Sequence, residues 1–300
     1  MATIHGFGFL SPENTPIGIR NLRLWDVGVT WKDLNPSEGV WVWDRMDLVL
    51  DSANHSGAKD IMYVLGMTPQ WAAKHPNAEH FAPWIGPGTN SSPKNFKVWD
   101  EYVTQVVTRY KGQINSYQIW NEPQLKDFWY DYADVTTLAK MTKRAYKIIK
   151  RIDPKAKVIA APVLPRPSSG GMRRGSKYLL ALKDQGWPVD VFTCHVYPEK
   201  GMRPLRWKKL VEDVVTGLNT LDAPTAPLMV TETNYNLLGG AFRSGRKIRR
   251  YVRLTNKYAN QLKVEKIYWY AYGHHTDPNV FGIVFNNRNH GELAIKQLIC

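Results

Sequence analysis

Cysteine is nearly absent. The 300-residue chain holds two, Cys194 and Cys300, too few for a disulfide framework, so the fold has to hold by packing. Long apolar runs are missing too. No stretch of about eighteen apolar residues occurs, which excludes a membrane-spanning helix. The N-terminal Met-Ala-Thr-Ile-His-Gly-Phe-Gly-Phe-Leu lacks the basic segment and apolar core of a signal peptide. The chain therefore reads as soluble, with its compartment unassigned and an extracellular or phage-associated setting open. No His-Glu-x-x-His or Cys-x-x-Cys occurs, His274 and His275 are adjacent, and His75 and His80 share a turn-rich segment. Linear spacing thus offers no metal site. No glycine-rich phosphate cradle follows a strand, so no cofactor is expected. With no internal repeat, low-complexity tract or linker, a single domain over residues 1–300 is expected.

Acidic residues are also under-represented, 26 against 40 lysines and arginines, for a net charge of +14. Such a field attracts nucleic acid, anionic lipid or acidic polysaccharide without choosing among them. The basic residues gather at 172–177, 203–209 and 243–250, which read as solvated faces of outer helices. No nucleic-acid motif is present, so nucleic acid ranks last among partners.

What is abundant is alternation. Short β-branched or aromatic runs at 4–9, 22–29, 60–67, 114–120, 157–163, 190–197, 227–233 and 266–272 are separated by stretches of helical period. That pattern predicts eight parallel strands with crossover helices, an α/β (β/α)8 TIM barrel. Ser92 before Pro93 predicts a helix start, and Phe96, Trp99, Val103, Val106, Val107 and Tyr110 fall on one face. Residues 134–152 behave alike, stopped by Asp153-Pro154. Further helices are expected at 44–56, 176–185, 205–221, 246–261 and 292–299. Residues 10–19 carry Pro12, Pro16 and Gly18 and are too short for a helix, so the first βα unit is expected to lack a full one. Loops at 68–92 and 164–175 follow strands, on the face where barrels place their sites.

Two carboxylates occupy matching positions. Asn121-Glu122-Pro123 follows the fourth strand and Thr231-Glu232-Thr233 closes the seventh. Strands four and seven lie roughly opposite, so Glu122 and Glu232 can face each other across the mouth. A pair about 5 to 5.5 Å apart serves hydrolysis with retention at a sugar carbon, and mutual repulsion would keep one of the two protonated. His195 and Tyr197, two apart on one strand, point to the same side.

These endings resemble the signatures of the clan A retaining glycosidases. So do Leu24-Trp25-Asp26, Thr30-Trp31, Asn35-Pro36-Ser37-Glu38-Gly39, Thr68-Pro69-Gln70-Trp71, Arg109-Tyr110-Lys111-Gly112, His195-Val196-Tyr197 and Ile267-Tyr268-Trp269-Tyr270. The ordered set is most similar to the β-xylosidase and α-L-iduronidase family (family 39) and its bacterial endoglycosidase relatives. The resemblance implies Glu122 as acid/base, Glu232 as nucleophile, and Asn121 as the partner of the sugar 2-hydroxyl. It implies His195 and Tyr197 near the nucleophile, Tyr197 donating to Glu232, Trp269 as subsite floor and Arg23 orienting Glu232. Trp25 and Trp71 are candidate stacking platforms or loop packing, and Trp84 and Trp129 could extend a cleft. The expected activity is double-displacement hydrolysis of β-linked glycans, endo-acting on a cell-surface or cell-wall polysaccharide that could be acidic. The alternative is a catalytically silent carbohydrate-binding barrel.

Overall fold

The structure, a computed structural model, describes residues 2–4, 21–25, 27–80, 82, 85–198, 203–234 and 245–272. Among the described residues there are eight strands, and from β2 onwards they alternate with helices as the sequence pattern requires. They are β1 (Ala2–Ile4), β2 (Asn21–Leu24), β3 (Asp60–Leu65), β4 (Ser116–Ile119), β5 (Lys157–Ile159), β6 (Phe192–Val196), β7 (Leu228–Thr233) and β8 (Val264–Tyr272). All ladders are parallel and form two four-stranded sheets, in the orders β1-β8-β7-β6 and β2-β3-β4-β5. Parallel bridges Ile159↔Val191 and Val163↔Cys194 cross the seam between β5 and β6. Strands β2 to β7 are each shorter than their apolar runs, because pairing stops where the chain leaves for the loops, whereas β8 begins two residues before its run.

The helices are α1 (Trp31–Leu34), α2 (Asp44–Ser56), α3 (Phe96–Arg109), α4 (Val135–Ile152), α5 (Gly171–Asp184), α6 (Pro204–Thr220) and α7 (Gly245–Gln261). In α4 the buried residues Leu138, Met141, Thr142, Ala145, Ile148 and Ile149 recur at helical spacing. Its N-cap Asp134 accepts from the Thr137 amide at 3.1 Å and the Thr137 hydroxyl at 2.7 Å. The expected start of α3 is corrected. Its N-cap is Asn95, whose side chain accepts from the Val98 amide at 3.2 Å, not Ser92. Residues 92–94 are instead held extended: Pro93 bridges Ala73, and the Lys94 amide donates to the Ala72 carbonyl at 2.6 Å. The start of α5 likewise precedes the expected Ser176, and α1 had not been foreseen. The expected loop at 10–19 and helix at 292–299 lie outside the described residues.

Two apolar layers result. Met62, Ile159, Val191, Met229 and Tyr268 form an interior cluster drawn from both sheets, which supports the strand ends from below. A larger layer joins sheets to helices. In it Trp31 stacks on Tyr102 with centroids 4.5 Å apart, and the Trp99 indole donates to the Met141 carbonyl at 3.1 Å. Trp99 is core, as its helical face implied. Cys194 is buried, and burial pushes its thiol well up, so it stays an unreactive small apolar group.

Candidate active site

The polar residues that apolar packing does not explain collect where β2, β4, β6 and β7 end. Glu122 lies three residues beyond β4, in a turn where two non-glycine residues adopt left-handed backbone, Trp120 at φ 68° and Glu122 at φ 41°. Such conformations cost about 1–3 kcal/mol each and persist only when the surroundings over-determine them. Here they are held closely. The Trp120 amide donates to Leu65 O at 2.8 Å, its carbonyl accepts from Gln118 Nε2 at 2.9 Å, and its indole donates to Phe128 O at 2.6 Å. The ring meets Trp129 edge-on at 4.9 Å.

Glu232 comes from the other sheet, on β7. Two donors fix it. Arg23 Nη1 donates to Oε1 at 2.7 Å, and the Tyr197 hydroxyl donates to Oε2 at 2.9 Å. Burial, then the negative charges of Glu232 and Glu122, push the Tyr197 hydroxyl far above its ordinary range, so it is a permanent donor at working pH. Arg23 is fully buried and divides its fork three ways: Nε donates to Gln118 Oε1 at 3.1 Å and Nη2 to Asn121 Oδ1 at 2.7 Å. Because Asn121 Oδ1 is occupied by a donor, its amide nitrogen is the atom left to offer hydrogen bonds elsewhere.

His195 joins the two carboxylates. Its Nδ1 lies 2.9 Å from Glu122 Oε1 and 3.5 Å from Glu232 Oε2. One oxygen of each glutamate and one His195 ring nitrogen all lie within 4.8 Å of one another. Sequence spacing had offered no metal site, yet in three dimensions this trio has a metal-ligand composition. Its chemistry fits poorly: Glu232 already carries a guanidinium and a phenol donor, which compete with a cation for the same lone pairs and repel it.

Not every expected residue joins. Trp25 is buried against Val64 and Met67, a packing role. Trp71 donates its indole N–H to Asn35 O at 2.9 Å, and Lys94 covers its ring at 5.0 Å. The floor expected of Trp269 needs correction. It is buried in the layer between sheet and helices and meets Tyr251 of α7 edge-on at 6.1 Å. Its neighbour Tyr270 is the β8 aromatic whose charge bears on Tyr197, and Tyr270 O accepts from Asn234 Nδ2 at 2.6 Å. Trp129 is buried under Trp120 rather than lining a cleft, and Trp84 lies outside the described residues. Gln118 was missed: it bridges Arg23 and the strained turn. Its only signal was an uncharged polar residue in an apolar strand.

Paired carboxylates this close, one clamped by strong donors, put the chain in the class of glycoside hydrolases. The family model for glycosyl hydrolase family 10 matches residues 28–270, well over half of the chain, and the chain belongs to that family. Within clan A it is related to the family 39 β-xylosidases. It is 25% identical over 212 residues to a β-xylosidase of Caldicellulosiruptor saccharolyticus, covering 63% of this chain and 40% of that protein. A β-xylosidase of Geobacillus stearothermophilus is 24% identical over 169 residues, covering 49% and 32%. The chain thus spans two-fifths or less of the length of these curated relatives. Among solved structures, the GH39 enzyme from Xanthomonas axonopodis pv. citri matches with TM-score 0.74 at 20% identity over 99% of this chain and 65% of the other. A GH10 endoxylanase from a sugarcane soil metagenome matches with TM-score 0.65 at 14% identity over 94% and 89%. These two likenesses bear on fold alone. No helix among the described residues is long and apolar enough to cross a membrane.

Proposed function

We propose that this chain is a retaining glycosidase of β-linked glycans, in which Glu232 attacks the anomeric carbon and Glu122 serves as acid and then base. The observation that carries the reading is the pair itself: two buried carboxylates with oxygens within 4.8 Å, one of them held by Arg23 and Tyr197. Two donors hold Glu232 aimed, as a nucleophile requires. Glu122, with His195 as its neighbour at 2.9 Å, gives its proton to the departing glycosidic oxygen. In the second half it takes a proton from water, and that water displaces Glu232 from the sugar. Asn121, its carbonyl pinned by Arg23, directs N–H groups towards the sugar 2-hydroxyl, a contact that strengthens as the ring flattens. The same reading has the two sheets closing into one (β/α)8 barrel over a single domain. The β5–β6 bridges support that closure.

β-Xylosides are the first substrates to try, because the curated relatives are named β-xylosidases. The finer proposal is endo-action on a cell-surface or cell-wall polysaccharide. The test is digestion of a β-glycan panel, with the anomeric form first released followed by NMR, for the native chain and for Glu232→Gln. Retention and a dead variant are expected. Initial inversion would sink the retaining mechanism, undiminished turnover in Glu232→Gln would sink the nucleophile, and binding without turnover in the native chain would favour the silent barrel.

A further inference from the structure

Arg166 opens the loop that follows β5, on the same side as Glu122 and Glu232, and is only 7% exposed. The loop is tightly wound around it, its carbonyl accepting from Ser169 N at 3.2 Å, Ser169 Oγ at 2.8 Å and Gly171 N at 3.0 Å. Its neighbours Pro165 and Pro167 line an outer groove between α5 and α6. The side chain turns elsewhere: its guanidinium carbon sits 5.7 Å from the centre of the Tyr197 ring, and the hydroxyl of that ring binds Glu232. Arg166 is therefore one aromatic ring away from the nucleophile.

Its partners are the anomaly. Arg23, the other buried arginine of the site, has an acceptor for each of its three nitrogens. Arg166 Nε is buried with no hydrogen-bond partner, and among the described residues its guanidinium makes no ion pair. A buried cation without a counter-charge is among the most costly things a fold can keep. The cation–π contact offsets only part of that cost. Nε together with an adjacent Nη forms the edge that grips a carboxylate with two parallel hydrogen bonds.

We propose that Arg166 is a specificity-determining residue that receives the carboxylate of a uronic acid unit in the bound glycan, beside the scissile bond. The substrate class is then an acidic, uronate-bearing β-glycan, and the counter-charge that Arg166 lacks among the described residues arrives with the ligand. The chain-wide charge of +14 would draw such a polyanion in, while Arg166 discriminates at the site. This builds on the glycosidase reading above.

The test separates the two. Binding of a β-linked oligosaccharide containing glucuronate, and of the same oligosaccharide with its carboxyl groups chemically reduced to alcohols, is measured by calorimetry. The Glu232→Gln chain is used, so that neither is consumed, with and without Arg166→Gln or Arg166→Lys. The uronate form should bind about tenfold or more tightly than the reduced form. Arg166→Gln should bring that ratio close to one, and Arg166→Lys, which keeps charge but loses the fork, should fall between. An equal affinity for the two forms, or no binding of either, overturns the proposal without any Arg166 variant being needed. A ratio that survives Arg166→Gln, with both affinities lowered alike, overturns it too, because that is the signature of mere support for Tyr197. Turnover by the native chain of either oligosaccharide, lost in Glu232→Gln, upholds the glycosidase reading whatever becomes of Arg166.

Discussion

Arg23 and Glu232, 209 residues apart in sequence, form an ion pair of 2.7 Å in which the guanidinium is wholly buried. Its other nitrogens are spoken for by Gln118 and Asn121, so one side chain sets the orientation of the proposed nucleophile and of the residue proposed to read the 2-hydroxyl. Lysine at position 23 could reach only one of these acceptors. Arg23→Lys should lower kcat by about 100-fold, the scale of a small misalignment of reacting groups. Arg23→Ala, which leaves Glu232 buried without its partner, should also cost about 3–5 kcal/mol of stability. Steady-state kinetics and thermal denaturation of both variants check this; a kcat within twofold of native for Arg23→Lys would remove Arg23 from the site.

Glu122→Ala should affect substrates according to their need for a proton. On an unactivated glycoside the loss should be about 10²–10⁴-fold in kcat. On a dinitrophenyl glycoside, whose leaving group departs as a stable anion, the first step should be nearly spared. Equal losses of kcat/KM, which reports the first step alone, on both substrates would contradict the acid role.

Tyr197→Phe removes one of the two donors to Glu232 without altering the ring that Arg166 overlies. A hydrogen bond to a charged group contributes about 1.5–3 kcal/mol, so kcat should fall by roughly tenfold or more with little change in melting temperature. Native kcat in this variant would show that Arg23 alone holds the carboxylate.

The buried phenols predict an alkaline limit. Burial raises the hydroxyls of Tyr63, Tyr102, Tyr110, Tyr117, Tyr251 and Tyr268, and pushes Tyr178 up to about 12. In the unfolded chain a tyrosine ionises near 10. Between about pH 10 and 12 the unfolded state sheds protons that the folded state keeps, so stability is whole below 10 and drains away as pH rises through that window. Urea midpoints at pH 9, 10 and 11 should fall in that order, with the tyrosinate absorbance of these residues appearing only on unfolding. A folded chain in which they ionise near 10 would refute the assignment.

The corrected start of α3 can be tested by its cap. Asn95→Ala should cost about 1 kcal/mol, a drop of about 2 °C in melting temperature, while Ser92→Ala should fall short of it. The reverse order would restore the start expected from Ser92-Pro93.

That correction marks what the sequence could and could not convey. Seven of the eight apolar runs sit where strands form, the first sharing only Ile4 with β1, and Leu138 to Ile149 mark α4, because both signals are local and periodic. Glu122 and Glu232 were visible as members of an ordered motif set; strand alternation put His195 and Tyr197 on one side, and the family resemblance implied their place near Glu232. Asn95 lost to Ser92 because the return of 92–94 alongside 72–74 is a tertiary pairing with no local trace. Gln118 and Arg166 carry no period and no motif. Their meaning comes from what lies across the strand ends, and Trp269 shows the converse, a motif residue whose ring packs against a helix instead. The contact of His195 with Glu122 was not foreseen for the same reason, since the resemblance implied only its place near the nucleophile.

The two sheets divide the proposed chemistry between them. Arg23, Gln118, Asn121 and Glu122 ride on or beside the sheet of β2 to β5, whereas His195, Tyr197 and Glu232 ride on or beside β6 and β7 of the other sheet. A chain severed in the α5 crossover should therefore yield two inert fragments whose mixture regains turnover, because catalysis here is a property of the join and not of either half.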